Sequence, residues 1–302
     1  MTKPRTIMFP AADGYRLTGQ IYLPSPGTNS GPVTIIGSAT GVPQRFYGRF
    51  ANYLAEHGRP TITFDYRGIG LSAPAHLRGF TARFRDWGIL DIPAALDYAK
   101  HNFPNKPLHW IGHSYGGFGT GLAHNARLIE RQLAISAMSA DFRFVDSKSE
   151  SWKIGALLFG LGPITAMTLG YVPGKLFGGT DLPKGVALEW SKWVATREFL
   201  FGITDLPERK YFADLRAPLM FVRMEDDTWL SKRGVEHLAT QYNNATEISH
   251  WTVSIAEGGE RPIGHLGFFR SDFRSTLWQK ALAWLNSEGN PNGTSRTSVH
   301  DR

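Results

Sequence analysis

Hydrophobic residues follow two rhythms along the chain: short β-prone runs alternate with longer stretches whose apolar positions recur at helical spacing. Residues 5–9 and 16–22 are β-prone and flank Ala12-Asp13-Gly14-Tyr15, where Asp-Gly predicts a hairpin. The sheet therefore starts antiparallel. Val33-Thr34-Ile35-Ile36 reads as a buried strand, which the Gly/Pro-rich loop Gly37-Ser38-Ala39-Thr40-Gly41-Val42-Pro43 ends. Residues 44–57 carry Phe46, Phe50, Tyr53 and Leu54 on one helical face and stop at Gly58. Thr61-Ile62-Thr63-Phe64 is the next strand, followed by the glycine-punctuated loop 65–72, a helix over 86–100, and further strands at 108–111 and 132–136. Repeated strand–helix units of this kind predict a mostly parallel sheet with helices on both faces, an α/β fold.

The rhythm changes over residues 141–212, where Trp152, Phe159, Phe177, Trp190, Trp193 and Phe201 sit in helical-looking pieces without strand alternation. This reads as a helical cap inserted into a core made of 1–140 and 213–286, lying over the sheet edge where open α/β folds place their pockets. Residues 154–172 are uncharged and long enough to span a bilayer. Gly155, Gly160, Gly162, Pro163 and Gly170 are expected to break that stretch repeatedly, so no membrane span is expected. Strand alternation resumes at 218–224 and 246–254. A glycine-rich loop over 257–267 carries His265, and 268–285 reads as a closing helix with Phe269, Phe273, Leu277, Ala281 and Trp284 on one face. Residues 287–302 are rich in Asn, Gly, Ser and Thr and are expected to be a disordered tail.

A chain of 302 residues has ample material for a large core. It has no cysteine, which excludes disulfides, thiolate metal sites and a Cys nucleophile. The first residues hold no apolar signal core, so a cytoplasmic location is expected. The formal charge of +7 raises the question of nucleic acid. Its arginines are scattered, with one looser group at Arg78, Arg83 and Arg85, and form no aromatic-interleaved stripe, so nucleic acid is not expected as a partner. The oligomeric state stays open, a homodimer included.

One stretch carries candidate chemistry. Leu108-His109-Trp110-Ile111-Gly112-His113-Ser114-Tyr115-Gly116-Gly117 is an apolar run ending in Gly-x-Ser-x-Gly, and small residues continue it into a helix. The motif alone is weak; its strand and helix context supports a nucleophile elbow, in which a strained serine exposes its hydroxyl above the sheet edge. Side chains at Gly112 or Gly116 would collide with the neighbouring strand or the helix start. A serine hydroxyl needs a base within hydrogen-bond reach, and that imidazole needs a carboxylate to fix its tautomer. Ser114 is the candidate nucleophile. His265, in a loop before a helix, is preferred as base over His250, which lies within an apparent strand.

With these residues in hand, the chain resembles the α/β-hydrolase-fold serine hydrolases over roughly residues 5–285. Three motifs carry the likeness: Phe64-Asp65-Tyr66-Arg67-Gly68-Ile69-Gly70-Leu71-Ser72, the elbow, and Asp226-Asp227-Thr228-Trp229 paired with Gly264-His265-Leu266-Gly267-Phe268-Phe269. The last pair, with Gly41-Val42-Pro43 and Phe46-Tyr47, is similar to a group of bacterial predicted α/β hydrolases. The resemblance implies Asp227 as the acid, with Asp226 and Asp141 as alternatives, and a structural role for Asp65. It implies an oxyanion hole made by the backbone N–H groups of Tyr115 and of Thr40 or Ala39. The expected activity is hydrolysis of a carboxylic ester or related acyl bond on a small-molecule acyl substrate, without cofactor or metal. Acyl transfer through the same acyl-enzyme, and a non-catalytic binding role, are the alternatives.

Overall fold

The computed structural model describes residues 3–28, 31–146 and 148–287. The sequence sets ten strands: β1 (Arg5–Pro10), β2 (Arg16–Tyr22), β3 (Val33–Gly37), β4 (Thr61–Phe64), β5 (Leu108–His113), β6 (Ile129–Ile135), β7 (Tyr171–Val172), β8 (Leu182–Pro183), β9 (Pro218–Met224) and β10 (Glu247–Val253). Eight of them form one sheet in the order β1-β2-β4-β3-β5-β6-β9-β10, and β7 and β8 pair separately. β1, β2 and β4 pair antiparallel, and every pairing from β4 to β10 is parallel. β3, β4 and β5 are buried on both faces, which is why they read as continuous apolar runs, whereas β10, at the sheet edge, is largely exposed. Ile35 and Trp110 belong to one core layer, while Ile36 and Ile111, one residue on, belong to the other. The second layer packs Phe50 and Leu54 of helix Gly48–Glu56 and Trp278 and Ala281 of helix Leu277–Asn286.

Two expectations about helices are corrected. A single helix runs over Ser149–Leu169, through Gly155, Gly160, Gly162 and Pro163, and only Gly170, at φ 86°, ends it. The reason is a π-turn at Ala156–Leu161, whose last bond runs from the Gly162 N–H to the Leu157 carbonyl five residues back. That shift in register falls just before Pro163, which has no N–H to donate, and the absent Cβ at Gly162 lets the Leu157 carbonyl approach. By length and composition this helix could cross a membrane. The closing helix, in turn, starts at Leu277 rather than 268, after a separate turn at Ser271–Phe273. The Trp278 indole donates to the Phe268 carbonyl at 2.7 Å, an acceptor that a continuous helix would use for its own ladder. The expected tail from 288 on lies outside the described residues.

The segment between β6 and β9 is anchored to the rest by a buried ion pair. Arg85 Nε donates to Glu189 Oε1 at 2.5 Å and the Arg85 amide donates to Glu189 Oε2 at 2.8 Å, pinning helix Lys184–Ala195 to the turn Phe84–Asp86.

Candidate active site

β5 ends at His113, and the chain then reverses into the short helix Tyr115–Phe118. Ser114, at the corner, takes φ 51° and ψ −109°, a conformation that costs an L-residue of order 1–3 kcal/mol and is held here by the surrounding chain. Its amide donates to the Ile135 carbonyl of β6 at 2.8 Å. A Cβ on Gly112 would collide with the Gly116 and Gly117 backbone, and one on Gly116 with the Gly37 backbone of β3. The glycines of the motif thus let strand, turn and helix approach at backbone contact.

β9 ends in the turn that presents Asp226 and Asp227, two adjacent carboxylates with different work. Asp226 accepts the amides of Ile263 (2.8 Å) and Gly264 (2.9 Å), which fixes the loop leading to His265. Asp227 is buried; its Oδ1 accepts the Trp229 amide at 3.0 Å and its Oδ2 lies 2.8 Å from His265 Nδ1. With Nδ1–H directed to the carboxylate, the imidazole's free lone pair is on Nε2. Ser114 and His265 line the same cavity of about 180 Å³, together with Thr40, Phe118, Phe177 and Trp190. Among the described residues no Asp, Glu, Lys or Arg lines it.

The other candidates lie elsewhere. His250 sits in β10, stacked on Phe221. Asp141 accepts the Arg143 and Glu198 amides and pairs with the Arg143 guanidinium. Asp65 is buried and accepts from the Gln44 amide, the Gln44 side chain and the Leu71 amide, so it fastens two loops; burial pushes its carboxyl upward.

Two side chains that sequence reasoning did not single out complete the surroundings. His113 is fully buried, with Nδ1 2.9 Å from the Tyr47 hydroxyl and Nε2 2.8 Å from the His265 carbonyl. A carbonyl only accepts, so Nε2 carries the proton and Nδ1 accepts from Tyr47. The Tyr47 oxygen in turn accepts the Ala39 amide at 2.9 Å. One directed chain of hydrogen bonds therefore joins the β3 loop, the elbow and the His265 loop. It also occupies the Ala39 N–H, whereas among the described residues no hydrogen bond uses the N–H of Thr40 or Tyr115. Thr180 donates to the Gly41 carbonyl at 2.8 Å and braces the same loop from the segment between β6 and β9. The motif Gly-His-Ser was the available signal for His113, but its partners are set only by the tertiary fold. Ser136, at φ 51° after β6, is the other: its buried hydroxyl lines the cavity without a hydrogen-bond partner among the described residues.

Replacing Tyr47 by Phe strands the Ala39 N–H and His113 Nδ1. Urea unfolding is expected to show a loss of about 1–3 kcal/mol.

Burial, reinforced by the nearby His265, holds His113 well below the ordinary imidazole range. His109 is held down to about 3 by burial, with Arg59 and Arg131 adding repulsion. Both take up protons near pH 6.5 only once unfolded, so the unfolded state gains as pH falls. Stability should decline from about pH 6.5 downward by up to about 1.4 kcal/mol per pH unit for each histidine. Urea midpoints between pH 8 and 5 test this (~pH 6.5 onset); a flat profile there would contradict it, and His109→Gln should make the decline shallower.

The class of protein follows from the sheet order and the strand-turn-helix corner: the chain has the α/β-hydrolase fold. Residues 43–140, less than half of the chain, match the family described as Serine aminopeptidase, S33. A soluble variant of monoglyceride lipase from Saccharomyces cerevisiae, solved with a substrate analogue, is similar with a TM-score of 0.66 and 15% identity, covering 94% of this chain and 95% of that one. An esterase from Pyrococcus furiosus gives 0.61 and 16%, covering 94% and 90%. An esterase domain from Rhodothermus marinus gives 0.57 and 17%, covering 94% and 98%. No curated protein matches. The α/β-hydrolase fold expected from the sequence is therefore borne out.

Proposed function

We propose that the protein is a serine hydrolase that cleaves carboxylic esters of small apolar or aromatic acids. The observation that carries this reading is the contact of His265 Nδ1 with Asp227 at 2.8 Å, in a cavity that His265 shares with Ser114. Ser114 Oγ attacks the ester carbonyl while His265 Nε2 takes its proton. The tetrahedral oxyanion is held by the amides of Thr40 and Tyr115; the chain of bonds through Tyr47 supports Thr40 over Ala39, whose N–H is already engaged. Collapse releases the alcohol with the proton from His265 and leaves an acyl-Ser114. Water, deprotonated by the same imidazole, then frees the acid.

Ester rather than peptide substrates are supported by the lining. An aminopeptidase must hold a substrate ammonium, and no carboxylate lines this cavity. A hole of about 180 Å³ is of the order that admits a single ring, since apolar cavities near 150 Å³ take benzene. A p-nitrophenyl ester series from acetyl to palmitoyl, with benzoyl added, is expected to peak at short acyl or benzoyl groups. Palmitoyl should fall at least about tenfold in kcat/KM, one misfit's worth of binding energy. A peak at palmitoyl would overturn the size assignment, and no turnover of any ester would overturn the reaction class.

A further inference from the structure

We propose that the outer face of helix Ser149–Leu169 docks on a membrane surface containing anionic lipid, holding the protein at the bilayer without crossing it. The helix is apolar on both sides. Ile154, Leu158, Gly162 and Ala166, four residues apart, are buried against the body. Trp152, Phe159, Leu161, Ile164 and Met167 point to solvent, 79%, 43%, 53%, 60% and 63% exposed. A helix on the surface of a protein that meets only water carries charge on its outer face. Past its first turn this one carries none: no Asp, Glu, Lys or Arg occurs from 154 to 174. An uncharged, aromatic-bearing face of this kind needs a cover.

Charge at the two ends selects the occupant. Lys153, exposed, stands next to Trp152 at one end. Arg78 packs against the other, its Nε donating to the Leu169 carbonyl at 3.1 Å, with exposed Lys175 just beyond. Carboxylates stand at both ends too: Glu150, mostly covered, is paired with Lys153 at 2.6 Å, and exposed Asp181 accepts the Gly174 amide at 2.8 Å, while Arg78 and Lys175 stay exposed. Cations bordering an apolar face with an exposed tryptophan match the interface of an anionic bilayer, where lipid headgroups meet the cations and acyl chains meet the stripe. A second copy fits less well. Two such helices packed antiparallel about a twofold axis would bring Lys153 toward Arg78 of the other copy, like against like. Spanning would require the residues at 154, 158, 162 and 166 to leave the core, so the face lies on the bilayer rather than through it.

The test is flotation of the full chain with phosphatidylcholine vesicles, with and without about 30% phosphatidylglycerol, at moderate salt. Binding is expected to be at least about tenfold tighter to the anionic vesicles and to weaken as salt rises. Ile164→Glu with Met167→Glu, both at exposed positions outside the catalytic cavity, should abolish flotation while leaving turnover of a soluble short ester and the urea midpoint unchanged. Brominated lipid should quench part of the tryptophan emission, and Trp152→Phe should remove that part. The proposal is overturned if the wild type floats with neither vesicle, or if the double variant floats as well as the wild type. It is equally overturned if velocity sedimentation shows a dimer that the double variant dissociates while vesicles capture nothing. None of these readings depends on catalysis, so the docking stands or falls apart from the proposed reaction.

Discussion

Ser114→Ala is expected to lower kcat for the best p-nitrophenyl ester by about 10⁶, with KM little changed. The reasoning is chemical. The alanine retains the cavity, the Thr40 and Tyr115 amides and the His265–Asp227 pair, and removes only the atom proposed to form the acyl bond. What remains is the catalysis that oxyanion donors and binding supply to attack by water, of order 10³–10⁴ over the uncatalysed rate. Adding His265→Ala in the same chain should then cost little more, because a base without its nucleophile has no proton to take. Independent losses that multiplied would contradict a single catalytic unit. The folded state should survive, since the Ser114 amide bond to Ile135 and the glycine contacts around the corner do not involve the hydroxyl. The measurement is steady-state kinetics on both variants and their combination.

Asp227→Asn is expected to lower kcat by about 10⁴ while preserving the shape of the site. The carboxylate at 2.8 Å holds the imidazole with its proton on Nδ1 and, in the proposed reaction, stabilises the imidazolium that forms when Ser114 is deprotonated. An asparagine whose amide group faces Nδ1 would turn the proton to Nε2, and the ring could no longer accept from Ser114. Asp226 separates tautomer control from loop support. Its two oxygens accept the Ile263 and Gly264 amides, so Asp226→Asn loses one of those bonds and should reduce stability while costing much less activity than Asp227→Asn. Asp141→Asn, at a carboxylate engaged with Arg143 and Glu198, should leave kcat within about tenfold of wild type, as expected of a group that holds structure rather than the imidazole. Equal losses at all three positions would contradict the assignment of the acid to Asp227.

The parts of the fold legible in the sequence are those fixed by local pattern. β3, β4 and β5 are buried on both faces and announce themselves as apolar runs, and the hairpin at Gly14 is written in a dipeptide. The elbow was readable because its constraints are steric and contiguous: glycines two residues either side of the serine meet backbone. The Ser149–Leu169 helix departs from its sequence pattern because glycine and proline rules are local, whereas the π-turn before Pro163 is a shift in hydrogen-bond register seen only in the assembled helix. The helix starting at Leu277 was overextended because the Phe268 carbonyl is used by a side chain ten residues away. Asp226 and Asp227 share a turn and a chemistry, so their division of labour depends on which way each side chain points. The bond from Ala39 to Tyr47, and from Tyr47 to His113, crosses three loops that no spacing connects.

The central claim is that Ser114 becomes covalently acylated, and the most direct measurement is labelling of the folded protein with a fluorophosphonate probe followed by peptide mass analysis. A stoichiometric adduct on Ser114, lost on prior unfolding and lost in His265→Ala, is the predicted result. A wild-type protein that stays unlabelled, or an adduct on another residue, would contradict it.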